Sequence, residues 1–276
     1  MEKRYSPDQV RFEMMSTTEI RESFLIEDLF TPGEIMMTYS DIDRVVVGSA
    51  VPAGTPLSLE AGKELAADFF AQRREIGVIN IGGDGAVSVD GTEYRMTKLD
   101  ALYIGRGSKD VTFTSADASG PAKFYIVSYP AHAAYPTTHA PISKAEPLNL
   151  GSAQESNKRT IYKYIHPAGI QCSQLVMGCT KLEEGSVWNT MPVHTHDRRT
   201  EVYMYFDMNA DTIVFHFIGE PEETRHIVVK NGQAVLSPSW SIHAGCGTGS
   251  YAFVWAMGGE NQEFGDMDGV PVADIR

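Results

Sequence analysis

The stretch HTHDRRTE, residues 194 to 201, combines two histidines one residue apart with a glutamate five residues after the second. In an extended chain, side chains at i and i+2 lie on one face, so His194 and His196 are expected to point the same way. The intervening DRRT is long enough for a reversal or bulge that returns Glu201 to that face. Two imidazoles and a carboxylate that converge form a three-point clamp for a divalent metal.

A further histidine follows in the stretch GQAVLSPSWSIHAG. Gly232 begins a turn, Pro238 ends the strand, and His243 comes five residues later, which can bring its imidazole beside the first cluster. A lone HxH pair is more often a surface or hydrogen-bonded pair than a metal site. HxHxxxxE followed by G-x5-P-x4-H within a β-type sequence is much more specific for a metal site. The predicted ligands are His194, His196, Glu201 and His243.

The elements that must position these residues are short strands. From the stretch TYSDIDRVVVGSAVP onward, apolar and β-branched runs such as IGVINIGG, KFYIVSYP, DTIVFHFIG and YAFVWAMGG alternate with Gly, Pro and Asp. This pattern is typical of antiparallel strands in a sandwich or barrel. We expect a helix only within residues 1–30, with one further helical turn within 61–75.

The strand pattern is interrupted once. Residues 131–155 are rich in Pro, Ala, Ser and Thr and lack periodicity, so we interpret them as a linker. One stretch on either side of it has the same plan, in which a strand leads through a glycine-bearing turn into a second strand. The two stretches are VSVDGTEYRMTKLDALYIGRG and IVVKNGQAVLSPSWSIHAG. We therefore expect two tandem β-barrel domains, residues 1–140 and 141–276.

The composition restricts the partners and the compartment. A formal net charge of −13 argues against nucleic acid or an anionic membrane surface as the main ligand, although a local arginine can still bind a small anion. The three cysteines form no CxxC pair, which fits a reducing compartment. No apolar run suits a signal peptide or a membrane span, so we expect a cytoplasmic protein.

The ligand pattern resembles the two metal-binding motifs of the cupin superfamily, except that Trp240 stands where those motifs usually carry a glycine. Longer stretches narrow the resemblance to the 5-keto-4-deoxyuronate isomerase family. They are QRREIGVINIGGDG, WNTMPVHTHDRRTEVYMYF, PEETRHIVVKNGQAVLSPSWSIHAG and GGENQEFGDMD, and the resemblance extends from ESFLIEDLF to the C-terminus.

The resemblance implies an all-β bicupin fold, in which two double-stranded β-helix domains follow in tandem, and a homo-hexamer. It implies one zinc per subunit on the four predicted ligands, with manganese or iron as alternatives. It also implies a cytoplasmic ketol-isomerase acting on a small sugar acid. Such an enzyme converts 5-dehydro-4-deoxy-D-glucuronate to 3-deoxy-D-glycero-2,5-hexodiulosonate in the catabolism of pectin and other uronate polymers. Alternatives are the 5-deoxyglucuronate isomerase of inositol catabolism, a metal-dependent cupin dioxygenase and a non-enzymatic sugar-binding cupin.

The N-terminal half departs from the metal motifs. Glu75 resembles the end of the first motif, but no histidine pair precedes it, and Asp110 stands where a metal-binding histidine would be. We therefore expect this half to hold no metal and to serve packing and assembly.

An isomerase of this kind needs a cationic partner for the carboxylate of its substrate, and arginine suits that geometry. Arg225 is the first expectation, because its strand leads toward Pro238 and His243. Tyr203 and Tyr205 share the strand parity of Glu201, so they either line the pocket or belong to the core. No residue is assigned as the general base, and enediolate and hydride-shift routes both stay open. The candidate substrate contacts are Arg225, Arg199, Arg159, Lys163 and Tyr205.

Overall fold

The computed structural model describes residues 1–276, and strands dominate it. In the first half of the chain they are β1 (Glu2–Arg4), β2 (Leu25–Ile26), β3 (Ile35–Ser40), β4 (Val46–Ala50), β5 (Leu57–Ser58), β6 (Arg74–Asn80), β7 (Gly85–Val89), β8 (Thr92–Met96), β9 (Ala101–Ile104), β10 (Val111–Ser115), β11 (Phe124–Pro130) and β12 (Thr138–Ala140).

The second half of the chain continues in the same way. Its strands are β13 (Pro147–Leu150), β14 (Arg159–Ile165), β15 (Val176–Leu182), β16 (Trp188–Asn189), β17 (His194–Thr195), β18 (Arg199–Phe206), β19 (Val214–Glu220), β20 (Glu223–Val229), β21 (Ala234–Ser237), β22 (Ala244–Gly247), β23 (Ala252–Gly259) and β24 (Asp268–Gly269).

The helices are few and short. They are α1 (Gln9–Glu13), α2 (Thr17–Phe24) and α3 (Gly62–Leu65), with 3-10 turns at Ile42–Arg44, Phe70–Gln72, Ile142–Lys144 and Val272–Asp274. The one helix expected within residues 1–30 is thus observed as two, α1 and α2, and the helical turn expected within 61–75 is confirmed as α3. Ser16 and Glu19 form a capping box that begins α2, in which each side chain satisfies a backbone N–H of the other. None of the helices has the length and apolar content needed to span a lipid bilayer.

The chain divides into two compact units that do not coincide with successive halves of the sequence. The first unit comprises Met1–Arg4, Asp28–Ala145 and Tyr164–Met177, and the second comprises Tyr5–Glu27, Glu146–Lys163 and Gly178–Arg276. The observed division therefore differs from the expected one into 1–140 and 141–276. Residues 5–27 belong to the second unit, and residues 164–177 belong to the first. The segment interpreted as a linker also contains strands, because β12 pairs with β9 and β13 pairs with β14 at the sheet edges.

Each unit contains one seven-stranded and one four-stranded sheet. In the first unit the orders are β1-β3-β4-β11-β6-β9-β12 and β5-β10-β7-β8. In the second they are β13-β14-β15-β23-β18-β21-β2 and β16-β22-β19-β20, and β17 pairs separately with β24. The predicted all-β architecture is confirmed, although the two sheets of a unit are not hydrogen-bonded into a closed barrel.

The sheets of the first unit enclose an apolar core. Ile76 and Ile126 of the larger sheet belong to the same buried cluster as Val87 and Phe113 of the smaller one. A fully buried side chain of this size contributes about 1.5–3 kcal/mol to folding. Asp90 and Gly91 join β7 to β8 with φ angles of 48° and 83°, as a tight hairpin turn requires.

The interior of the second unit is aromatic and partly polar. Tyr203 and Tyr205 on β18 lie across from His216 on β19, with ring centroids 5.7 and 5.9 Å away. Glu201, one of the predicted metal ligands, lies on the same face of β18 and therefore also points into this interior.

Candidate metal centre

Three segments of the second unit bring the four predicted ligands together. His194 lies on β17, His196 follows in the turn before β18, Glu201 lies on β18, and His243 directly precedes β22. One ligand atom from each residue lies within 4.8 Å of the others. Since His196, Glu201 and His243 are buried and His194 is half-buried, the cluster is accessible from one side.

The inner atoms of the cluster all carry electron pairs. Nε2 of His243 lies 2.9 Å from Oε2 of Glu201 and 3.0 Å from Nε2 of His194, and Nε2 of His196 lies 3.1 Å from Oε2 of Glu201. The outer nitrogen Nδ1 of His196 faces the carbonyl of Arg199 at 2.9 Å, and that of His243 faces the carbonyl of Ser241 at 3.4 Å. Because a carbonyl only accepts, a neutral imidazole at either position carries its proton on Nδ1 and offers the Nε2 lone pair to a cation, as metal-ligating histidines do. The residues therefore fit a divalent metal.

Electrostatics favours the ligating protonation states at two positions. Burial, and then neighbouring His243, lower the pKa of His194 to about 3, so its imidazole is neutral. Burial opposes ionisation of Glu201, but His243 and His196 outweigh it and hold the pKa of that carboxyl well below its usual range. For His196, burial is likewise outweighed, and its hydrogen bond with Glu201 raises the pKa. A cation at the centre would compete with that proton.

A buried polar chain lies beside the cluster. The hydroxyl of Tyr205 lies 2.8 Å from Nδ1 of His216, and Nε2 of His216 lies 3.3 Å from Oγ of Ser237. Burial, and then His243, lower the pKa of His216 to about 3. His216 lies on β19, in the apolar stretch DTIVFHFIG, and is not among the residues singled out above. Its alternation with buried Val214 and Ile218 is the signal that places its side chain toward the interior.

A cavity of about 290 Å³ opens beside His194 and Glu201. Its wall is largely aromatic and aliphatic, and the polar side chains in it are few. This combination is typical of a small-molecule site, although the volume lies at the lower end of the usual range of roughly 300–1,000 Å³. Among the lining residues are Arg159, Thr190, Tyr203, Phe253, Trp255 and Phe264.

The matches to known proteins extend over almost the whole chain. The model of the KduI/IolB family matches residues 25–269. Over 276 residues the chain is 56% identical to a 4-deoxy-L-threo-5-hexosulose-uronate ketol-isomerase of Halalkalibacterium halodurans, with 100% of both chains covered. This chain belongs to the KduI/IolB family. A protein of the same name from Yersinia enterocolitica is 53% identical over 264 residues, which are 95% of each chain.

Solved structures with low sequence identity share the fold of this KduI/IolB chain. An IolB-like protein of Salmonella typhimurium superposes with a TM-score of 0.71 at 13% identity, covering 90% of this chain and 96% of the other. Oxalate decarboxylase of Lactobacillus farciminis superposes with a TM-score of 0.58 at 8% identity, covering 90% and 89%. These likenesses concern the fold alone, and they support the predicted bicupin architecture.

The candidate substrate contacts separate into two groups. Arg159 lines the cavity, where it donates from Nη1 to the carbonyl of Asn157 and pairs with no carboxylate. Lys163 lies outside the lining, with Nζ 4.1 Å from the ring centre of Phe264, a residue of the cavity wall. Tyr205 and Arg199 do not line the cavity either, and the guanidinium of Arg199 is buried between the carbonyls of Glu263 and Asp266.

Arg225, the first expectation for the substrate carboxylate, is also absent from the cavity wall. It lies at the start of β20, near the end of the four-stranded sheet beside α1. There it pairs with Glu223 and donates to the carbonyl of Glu13. The expectation followed the path of the strand along the chain, but the end of β20 at which Arg225 lies does not border the cavity.

Residues 260–270, here named the C-terminal strap, complete one wall of the cavity. Phe264 and Met267 from the strap line it. Arg198 binds Asp266 through Nε and Nη2 at 3.1 and 2.6 Å and reaches Asp268 at 2.8 Å. Because β24 in the strap also pairs with β17, the strap is attached to the segment that carries His194.

Trp240, which replaces the usual motif glycine, has a packing partner. Its ring centroid lies 5.3 Å from that of Phe12 on α1 in an edge-to-face arrangement. The departure thus adds an aromatic contact of the kind that contributes about 0.5–1.5 kcal/mol, and it leaves His243 in the ligand cluster.

Glu75, the supposed remnant of a first motif, has a different role in the first unit. Its buried carboxylate accepts hydrogen bonds from the hydroxyl of Tyr103 and from the backbone N–H groups of Ser173, Gln174 and Leu175. It therefore secures residues 173–175 within that unit.

Proposed function

We propose that this protein is a 4-deoxy-L-threo-5-hexosulose-uronate ketol-isomerase. It would convert 5-dehydro-4-deoxy-D-glucuronate to 3-deoxy-D-glycero-2,5-hexodiulosonate in the catabolism of pectin and other uronate polymers. The observation that carries the proposal is the full-length identity of 56% to a protein of that name. The convergence of three histidines and a glutamate beside a small cavity supplies a site for such chemistry.

His194, His196, Glu201 and His243 would hold one zinc ion per subunit, with manganese or iron as alternative metals. The bound metal would polarise the substrate carbonyl and stabilise negative charge that develops on its oxygen. The protein contributes three imidazoles, two of them with the outer nitrogen facing a backbone carbonyl, and the buried carboxylate of Glu201. The largely apolar cavity wall lowers the local dielectric constant, which strengthens electrostatic contacts inside.

Arg159 is the best-placed partner for the substrate carboxylate. It is the arginine in a wall that also contains His194 and Glu201, and it forms no ion pair with a carboxylate of the protein. Its half-burial reduces competition from water. A guanidinium can bind a carboxylate through two parallel hydrogen bonds, which would also orient the sugar acid toward the metal.

We also propose a compartment and an assembly for the enzyme. It would act on a small sugar acid as a cytoplasmic homo-hexamer, and the absence of CxxC pairs is consistent with the reducing compartment. The 5-deoxyglucuronate isomerase of inositol catabolism is the alternative within the same family, and a cupin dioxygenase is the alternative of another class. Full-length relatives at 50–56% identity favour the first assignment over both.

The test uses purified protein loaded with zinc. It is expected to isomerise 5-dehydro-4-deoxy-D-glucuronate and to prefer it over 5-deoxyglucuronate, without consuming oxygen or nicotinamide. Product is measured by NMR and oxygen by an electrode. In deuterated water, deuterium at C1 of the product indicates an enediolate route, whereas its absence indicates a hydride shift. Loss of substrate without isomerisation, or with oxygen uptake, would contradict the proposal.

A further inference from the structure

Two hydroxyl groups face each other in the wall of the cavity. Oγ1 of Thr190 and the phenolic oxygen of Tyr203 lie 2.8 Å apart, and both residues line the cavity with His194 and Glu201. Tyr203 follows Glu201 by two residues on β18, so the two side chains share a face of the strand. Its ring centroid lies 5.6 Å from that of His243. The hydroxyl pair is therefore next to the metal ligands.

The backbone at Thr190 is unusual. Thr190 has a φ angle of 51°, in the left-handed region that β-branched residues rarely adopt. It follows β16 directly, and β16 is held by pairing of Asn189 with Gly245 and by the hydrogen bond from Asn189 to the hydroxyl of Tyr251. Strained backbone of this kind persists where the surroundings over-determine it and is concentrated at functional sites.

The other polar groups of the cavity wall have different tasks. The hydroxyl of Thr180 accepts a hydrogen bond from Nε1 of Trp255 at 3.1 Å. The guanidinium of Arg159 stays protonated at neutral pH, so it does not transfer protons. His194 and Glu201 point their electron pairs into the ligand cluster. The Thr190–Tyr203 pair is thus the group in this wall that can accept one proton while it releases another.

A ketol-isomerisation requires two hydrogen movements. One hydrogen leaves C2 and one arrives at C1, while the proton on the C2 oxygen must reach the C1 oxygen. We propose that the Thr190–Tyr203 hydroxyl pair relays this second proton between the two substrate oxygens. This inference rests on the proposed function and adds catalytic residues to it.

The relay is balanced in atoms and charge. The O–H bond at the C2 oxygen breaks, and the first hydroxyl of the pair takes that proton. This hydroxyl passes its own proton to the second, which passes its own to the C1 oxygen, where a new O–H bond forms. Thr190 and Tyr203 end as they began, and no oxidant or reductant is needed. General acid–base groups of this kind typically contribute about 10²- to 10⁴-fold to a rate.

Three variants of the zinc-loaded enzyme test the relay against 5-dehydro-4-deoxy-D-glucuronate. Tyr203→Phe and Thr190→Ala are expected to lower kcat by about 10²- to 10⁴-fold, with KM and zinc content near those of the wild type. Thr190→Ser retains the hydroxyl and should recover most of the activity that Thr190→Ala loses. The solvent deuterium effect on kcat should change in Tyr203→Phe, because the protons that cross the pair then move by another path.

Tyr205→Phe is the matched control, since Tyr205 is also buried on the same strand and its hydroxyl hydrogen-bonds with His216 and Asn189, but outside the cavity wall. The double variant Tyr203→Phe/Thr190→Ala should be no slower than the slower single variant, because both changes interrupt one path. Wild-type kcat in Tyr203→Phe, or an equal loss in Tyr205→Phe, overturns the relay while leaving the proposed function intact. A zinc-loaded wild type that leaves the substrate unchanged overturns the proposed function, and the relay with it.

Discussion

The Nε2 atoms of His194 and His243 lie 3.0 Å apart. Because the carbonyl of Ser241 faces the Nδ1 proton of His243, the inner nitrogen of His243 presents a lone pair to its neighbour. Oε2 of Glu201 lies 2.9 Å from the same nitrogen. Electron-rich atoms at such distances repel one another unless a proton or a metal cation lies between them, and the four side chains suit a divalent metal.

Replacing either His196 or His243 with Ala is expected to abolish metal binding and turnover while most of the fold remains. The sheets are stabilised by extensive apolar cores, so neither unit depends on one ion for its structure. Elemental analysis and circular dichroism measure the two effects, with exposed His226→Ala as the control. A chelator should reproduce the loss in the wild type, and added zinc or manganese should reverse it. Full metal occupancy in both ligand variants would contradict the assignment.

Arg159→Met is expected to raise KM for the uronate by about 10- to 150-fold, corresponding to the loss of roughly 1.5–3 kcal/mol from a charged hydrogen bond. The change removes the positive charge of Arg159 from the cavity wall but retains much of the apolar part of its side chain. Arg225→Met is the matched control, since Arg225 pairs with Glu223 away from the cavity. Steady-state kinetics at low salt and metal analysis distinguish the variants. A larger effect in Arg225→Met would reassign the carboxylate contact.

Arg198→Met is expected to loosen the C-terminal strap and to raise KM, with little change in melting temperature. Arg198 connects the ligand loop to Asp266 and Asp268, whereas Phe264 and Met267 of the strap only complete the cavity wall. Hydrogen exchange should therefore accelerate within residues 260–270. The exposed Arg95→Met, which removes another local ion pair, is the control. Unchanged exchange in the strap would show that β24 pairing alone holds it.

His216 is expected to make the protein less stable as the pH falls. Its folded-state pKa is lowered to about 3 from 6.5, so between these values the unfolded chain binds a proton that the folded protein does not. The free energy of unfolding is therefore not reduced by this group above pH 6.5. It decreases as the pH falls toward 3, by on the order of a few kcal/mol. Denaturant titrations of chelator-treated His216→Gln should show a flatter pH dependence than the wild type or His226→Gln. Parallel curves for all three would refute this prediction.

The ligand cluster could be predicted because its geometry is mostly local. His194 and His196 are separated by one residue, Glu201 lies near the start of the next strand, and His243 follows a turn and a proline. Strand periodicity places such side chains on a common face, whatever the rest of the chain does. The all-β fold followed from the same periodicity, repeated along the chain.

The sequence by itself thus determined the fold class and the four candidate ligands. Tertiary structure decided which chain segments form each unit, the position of Arg159 in the cavity wall and the Thr190–Tyr203 contact. The sequence favoured Arg225 over Arg159, but Glu223 pairs with the first and no carboxylate forms an ion pair with the second. Local spacing sets the direction in which a side chain leaves its strand. The neighbours that a long side chain meets depend on distant segments that pack around it, and those neighbours decide whether its charge is available to a ligand.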